Sequence, residues 1–387
     1  MISARRPARQ IETIPLLDVI RILAAWMVLA WHTGEHVGYR LPIFGSAAIA
    51  VDLFMNVSGF LMIFHYWERR EKEPWNEPMT WWRFYVRRSC RIAPLYYLVL
   101  LFLVAAKFTP NTATESTALP TWQWLLLRLS FLFGVFPHES TNCVVPDWSL
   151  TLEMQFYACF PFFALALNRL GAGLFFFLCS LLGALCRFSI GYYNDAAPGL
   201  WVYFGQPSIL PLKLHTFAVG MVIAWVLVRG TQELKSRWFW VAFPVYLLTC
   251  KENFLWLLAA VYWTAYVACR LPRLHVRFLN LVRALNRMLQ RMPLRKTLAD
   301  CSYGTYLIHN IIIALVLTKI WPPLANGQGS LWQFVPAFAL NLCLATLLSY
   351  LLDLAVGRPG INFGKMIIRR FAAGRPGAGG DIVHLSK

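Results

Sequence analysis

The chain has 387 residues, of which 58% are hydrophobic and only 14% charged, with 28 Phe and 17 Trp. That is too apolar for a water-soluble domain of this length and marks a polytopic membrane protein. A net charge of +18 would suggest nucleic acid in a soluble protein; in a membrane protein it reports topology, and no nucleic-acid partner is expected.

In chain order, apolar segments long enough to span lie at about 15–37, 45–66, 94–108, 148–167, 170–190, 208–228, 238–251, 252–269, 299–321 and 332–356. The basic run ARRPAR before the first of them imitates a signal peptide, but Asp18 and Arg21 interrupt its apolar stretch, so no cleavage is expected. One further stretch, TWQWLLLRLSFLFGVFP at 121–137, is short and carries Arg128. Charge decides its place. If it does not span, most of the 36 Lys and Arg residues fall on one side, above all in 67–93, 270–296 and after 357. If it spans, the dense loop 270–296 moves to the opposite side from 67–93. It is therefore read as a re-entrant or interfacial segment on the outer side, with both termini cytoplasmic. The expected fold is an all-α membrane bundle of about ten transmembrane helices. It divides into a cytoplasmic tail at 1–14, a membrane domain at 15–356 and a partly disordered cytoplasmic tail at 357–387. Arg283, Arg287 and Arg291 recur at spacings of four, so 270–296 is expected to form a basic amphipathic helix on the anionic inner surface.

The nine Cys residues form no CxxC pair and no metal-ligand spacing, and they read as small core hydrophobes. No metal and no permanently bound cofactor is expected. No internal repeat and no appended soluble domain is visible.

Polar residues inside the spans carry the chemistry, because a charged side chain near the bilayer centre costs roughly 2.5–3.5 kcal/mol and persists where it faces an interior site. In LDVIRILAAWMVLAWH, Arg21 and His32 lie about 20° beyond three full turns apart, with an axial rise of about 16 Å, so they share one helix face. Asp18, one turn below Arg21, is expected to pair with it. Read singly, Arg21 is equally well a snorkelling inner-leaflet arginine, and His32 a neutral core histidine. The second span carries Asp52, Asn56 and Ser58, which also suit helix packing beside Gly59. Arg87, Arg88 and Arg91 end the loop that follows, where topological anchoring is the alternative. The fourth span opens with Trp148 and carries Glu153, a carboxylate about one turn in from the outer end.

Together these stretches resemble the acyltransferase 3 family of integral membrane O-acyltransferases over most of the chain. The first-helix pattern LDxxRxxAAxxVxxxH appears from Leu17 to His32, and GVDLFFVLSGFL as AVDLFMNVSGFL at 50–61. RRxxRIxPxY appears as RRSCRIAPLY at 87–96, and WSLSVEEQFY as WSLTLEMQFY at 148–157. SYxxYLxH appears as SYGTYLIH, with Ser302, Tyr303, Tyr306 and His309. The chain departs from these patterns at Asn56 and Met154, and KLHTFAVG puts Lys213 and His215 where RLDAFxxG has Arg and Asp. This last change, at an outer helix end, is placed where acceptor specificity could be set.

The resemblance implies transfer of an acyl group, usually acetyl, from cytoplasmic acyl-CoA to a hydroxyl of an extracytoplasmic or lipid-linked carbohydrate. The stand-alone exopolysaccharide or nodulation-factor modifying members, without a fused esterase domain, are the nearest in character. The enzyme is expected in a bacterial inner membrane, with acyl-CoA, a carbohydrate or glycolipid acceptor and membrane lipids as partners. Arg21, Arg87, Arg88 and Arg91 suit the donor's phosphates. A hydroxyl needs a base with a pKa near the working pH, so His32 is assigned that role, with Glu153 orienting it, stabilising its cation or binding the sugar. An acyl-His32 intermediate stays open. A serine nucleophile at Ser58 or Ser302 ranks lower. Asp18, Asp52, Asn56, Ser58, Trp148, Lys213, His215, Tyr303 and His309 are expected to support the site or bind the acceptor, and His36, one turn beyond His32, is its rival. A lipid or macrolide-type acceptor is the alternative within this chemistry. A secondary transporter of an anionic solute, which predicts pseudo-symmetric halves, is the alternative outside it.

Overall fold

A computed structural model describes residues 14–39, 47–106, 121–140, 143, 145–192, 202–249, 272–320 and 329–373. It is an all-α bundle. In order it comprises α1 (Pro15–Val37), α2 (Ala47–Arg69), α3 (Pro78–Ala105), α4 (Thr121–Leu129), α5 (Trp148–Ser189) and α6 (Leu210–Arg229). Then come α7 (Trp238–Thr249), α8 (Pro272–Gln290), α9 (Arg295–Leu315), α10 (Leu331–Leu352) and α11 (Arg358–Ala373). Two three-residue strands, β1 (Ile190–Tyr192) and β2 (Val202–Phe204), pair in parallel between α5 and α6.

Seven helices among the described residues are long and apolar enough to cross a membrane, not the ten expected. The two spans expected at 148–167 and 170–190 form one helical run, broken where Gly171 adopts φ 75° and ψ 166°. A left-handed φ is open to glycine without steric cost, and the Ala172 N–H freed by the break donates to Glu233 Oε2 at 3.2 Å. Of the span expected at 238–251, the described residues hold the 12-residue α7, about 18 Å long, and the residues that follow Thr249 lie outside the described ones. The span expected at 252–269 lies outside the described residues. The 121–137 stretch forms the nine-residue α4 followed by 3-10 turns, too short to cross.

The larger correction concerns α3. Its apolar part was legible from residue 94, but the helix begins at Pro78, whose fixed φ suits a first helical position. Arg87, Arg88 and Arg91 therefore lie on a helix rather than at the end of a loop. Likewise, α11 is a helix over part of the expected C-terminal tail. It packs against α3, with Gly360 and Gly364 against Cys90 and Pro94. The basic amphipathic helix expected over 270–296 is present as α8. Its Asn286 side chain accepts a hydrogen bond from the Leu16 N–H at 3.1 Å, satisfying one of the free donors at the start of α1.

The centre of the bundle is α2 packed on α6, with α5 against α6 and α7, and α1 against α2, α9 and α10. Glycines let α2 and α6 meet backbone to backbone: a Cβ on Gly220 would fall 1.8 Å from the Asn56 carbonyl oxygen, and one on Gly59 would fall 2.2 Å from that of Phe217. Relief would require one helix to move. Gly220→Ala is therefore expected to cost about 1–3 kcal/mol, read as a lower midpoint of thermal unfolding in detergent. An unchanged midpoint would mean that this contact opens freely.

Candidate active site

Six helices converge on a cavity between α2 and its neighbours, with α6 contributing Phe217. Arg21 of α1, Ser58 and His65 of α2, Arg88 and Arg91 of α3, Glu153 and Tyr157 of α5, and Tyr303 and Tyr306 of α9 line it. The arginine selection follows from helical spacing. Residues three apart share a face, so Arg88 and Arg91 both reach the cavity. Arg87 points elsewhere and forms a two-pronged ion pair with Glu73, at 2.8 and 2.7 Å. The Arg88 guanidinium stands 5.6 Å from the Tyr157 ring centre and 5.8 Å from that of Phe84, and its Nε has no hydrogen-bond partner among the described residues. Arg91 is exposed, which puts it at the mouth.

Glu153 sits among these groups. The Tyr157 hydroxyl, one turn along α5, donates a short hydrogen bond to it, and Ser58 Oγ donates a second at 3.2 Å. Tyr157 and Ser58 are themselves 3.4 Å apart. The cavity thus holds one carboxylate with two hydroxyl donors, beside three guanidinium groups from two helices.

A second cluster lies further along α1. His32 Nδ1 lies 2.8 Å from Glu35 Oε2, and the imidazole stacks on that of His309 with ring centres 5.1 Å apart. His309 is fully buried. Its Nδ1 donates to the Tyr306 carbonyl at 2.5 Å, and its Nε2 has no hydrogen-bond partner among the described residues. Because Tyr306 also lines the cavity, with its ring centre 5.9 Å from that of His309, the two clusters are separated by little more than that ring. Ser149 Oγ fixes the Tyr306 hydroxyl at 2.6 Å.

Several expected partners are different. Asp18 pairs with Arg295 of α9, not with Arg21. Arg21 faces the cavity without a hydrogen bond or ion pair to the described residues. Glu153 is bonded to Tyr157 and Ser58, while the carboxylate on His32 is Glu35. Lys213 is buried in an ion pair with Asp52 at 2.9 and 3.2 Å, and the Asn56 amide donates to the Asp52 carbonyl at 2.8 Å. His215 is buried between α5 and α7, against Gly183 and 5.7 Å from the Tyr246 ring. The Lys213 and His215 side chains are both buried among the described residues. Trp148 is the half-buried first residue of α5, and the Tyr303 hydroxyl donates to the Ile92 carbonyl at 3.3 Å. His36 turns its Nδ1 back to the His32 carbonyl at 2.8 Å. Tyr157, His65 and Glu35 were missed as site residues. The signals were local, since Tyr157 is four residues from Glu153 and Glu35 three from His32.

A family model of an acyltransferase domain matches residues 14–350, which include both clusters. The chain belongs to the acyltransferase 3 family. Among its relatives, it is 28% identical over 365 residues to the exopolysaccharide production protein ExoZ of Rhizobium meliloti, covering 90% of this chain and 99% of ExoZ. To the peptidoglycan O-acetyltransferase OatA of Listeria monocytogenes it is 24% identical over 393 residues, 91% of this chain and 57% of OatA. The acyltransferase MdmB of Streptomyces mycarofaciens is 26% identical over 245 residues, 57% of this chain and 59% of MdmB. The chain thus spans less than two thirds of the length of OatA and of MdmB. No solved structure matches it. With its seven apolar helices, this acyltransferase 3 member is a multi-pass membrane protein.

Proposed function

We propose that the chain is a membrane O-acyltransferase of the bacterial inner membrane. In this reading it takes an acyl group, most simply acetyl, from cytoplasmic acyl-CoA and passes it to a hydroxyl of an extracytoplasmic or lipid-linked carbohydrate. The observation that carries this reading is the convergence of Arg21, Arg88 and Arg91 on one cavity, one aromatic ring away from a histidine pair. Planar guanidiniums hold phosphate oxygens through paired, charge-assisted hydrogen bonds. A CoA nucleotide at the arginine end would direct its pantetheine arm toward His32.

There, His32 Nε2 takes the proton of the acceptor hydroxyl as its oxygen bonds to the thioester carbonyl carbon. The C–S bond then breaks, and the departing CoA thiolate recovers that proton from the imidazolium. Both termini and the Arg-rich ends of α2 and α3 lie on the cytoplasmic side in this scheme, as the distribution of positive charge favours. The likeness to ExoZ favours an exopolysaccharide as acceptor, with a nodulation-type glycan or a lipid as the variants to compare.

Membranes containing the chain, given labelled acetyl-CoA and a panel of exopolysaccharide, glycolipid and peptidoglycan fragments, are expected to place label on one glycan in ester linkage. Uptake of an anionic solute with no label transferred would replace this reading by transport. The arginines also differ in their expected effects. Arg88→Ala is expected to raise the KM for acyl-CoA by about tenfold, the worth of one charge-assisted hydrogen bond. Arg87→Ala is expected to leave the KM for acyl-CoA within about threefold of wild type, since Arg87 is paired with Glu73 and does not line the cavity. Equal effects from the two substitutions would argue against the cavity as the donor site.

A further inference from the structure

We infer that Glu35 is the positioning residue of His32, holding its imidazole in the one tautomer that can act as a base. This rests on the proposed acyl transfer and assigns a role to a side chain outside the family pattern quoted above. An ionised carboxylate only accepts hydrogen bonds, so the 2.8 Å contact fixes the proton on His32 Nδ1 and leaves the lone pair on Nε2. The same division of labour, with one ring nitrogen given to a carboxylate and the other to the reaction, operates wherever an acid orients a catalytic histidine.

Three further contacts make this arrangement specific to Glu35. His309 stacks on the His32 ring and limits its rotation. The only proton that His309 Nδ1 can share goes to the Tyr306 carbonyl, so His309 does not compete for Glu35. His36, the other imidazole on α1, is tied to the His32 backbone carbonyl. The turn carrying Glu35 is also closed firmly, because Gly38 adopts φ 79° while its N–H and that of Tyr39 bond back to the carbonyls of Glu35 and Gly34. Among the described residues, the titratable groups near His32 are thus Glu35 and His36 on its own helix and His309 across on α9. From α10, the neutral Asn341 amide bonds Thr33.

During transfer, the acceptor proton moves to Nε2 and the Nδ1 proton stays shared with Glu35, so the carboxylate stabilises the imidazolium that forms. Without it, the ring loses both its fixed tautomer and part of its basicity. Glu35→Ala is expected to lower kcat by about tenfold or more with the KM for acyl-CoA unchanged. That is less than the roughly 10⁴-fold of a fully buried acid–histidine pair, because the Glu35 side chain is 52% exposed. In a His32→Ala background, adding Glu35→Ala should change nothing further, because residues acting as one unit are not additive.

A second measurement is independent of turnover: the ring-nitrogen NMR shifts of His32 in histidine-labelled protein, which report the nitrogen that carries the proton. The proton is expected on Nδ1 in the wild type and in Glu71→Ala, a surface control, and that preference is expected to be lost in Glu35→Ala. An unchanged His32 tautomer without Glu35 would overturn the inference, as would an unaltered kcat. A changed tautomer in a chain that transfers no acyl group would instead sink the proposed reaction and leave the pair standing.

Discussion

His32→Ala is expected to reduce acyl transfer by about 10²–10⁴-fold, the usual contribution of a general base, without weakening acyl-CoA binding. The donor's phosphates would be held by Arg21, Arg88 and Arg91, and none of these contacts His32. Binding and chemistry should therefore separate, with kcat falling and the KM for acyl-CoA holding. The measurement is ester formation from labelled acetyl-CoA in membranes with matched amounts of protein. Near-wild-type transfer by His32→Ala would shift the base to His309, whose buried Nε2 has no hydrogen-bond partner among the described residues. A parallel His309→Ala variant separates the two.

The second large effect concerns folding. Arg128 is fully buried, donates to Asp147 at 2.9 Å and to the Glu139 carbonyl at 3.2 Å, and lies 4.7 and 4.5 Å from the ring centres of Trp124 and Phe133. The Tyr96 hydroxyl donates to the same Asp147 oxygen at 3.0 Å, tying α3 into the network. Arg128→Met keeps most of the side-chain volume but strands the Asp147 carboxylate, and such a loss costs about 3–5 kcal/mol. The thermal midpoint in detergent should fall clearly, and the double variant Arg128→Met with Asp147→Asn should recover part of the loss. A midpoint that stays put in the single variant would mean that water reaches Asp147.

Arg128 also shows what the sequence could and could not disclose. The parity of positive charge gave the expectation that 121–137 does not cross, and the nine-residue α4 is too short to do so. The arginine's partner was hidden, since Asp147 lies 19 residues away across a turn. The same limit applied elsewhere. Helical periodicity predicts neighbours three and four residues apart, which placed Arg21 and His32 on one face but suggested Arg21 for Asp18, whose partner Arg295 is 277 residues distant. The motif stretches from α1, α2, α3, α5 and α9 were legible as members of one site. Their sorting was not, because which of Arg87, Arg88 and Arg91 turns inward depends on a helix that begins at Pro78, within a segment too charged to read as a span.

The Asp52–Lys213 pair has a consequence for how the protein is made. Its two halves lie 161 residues apart, so α2 leaves the ribosome long before α6 exists. An aspartate in a span costs roughly 2.5–3.5 kcal/mol on insertion scales, and the rest of α2 must outweigh that cost while its counter-ion is still unsynthesised. The abundant Leu, Ile, Val, Met and Phe of α2 supply that surplus. Neutralisation comes only when α6 arrives beside it, and its glycine faces then close the backbone contact. Biogenesis therefore has a built-in order, in which an early helix enters the bilayer carrying a charge whose partner arrives four helices later.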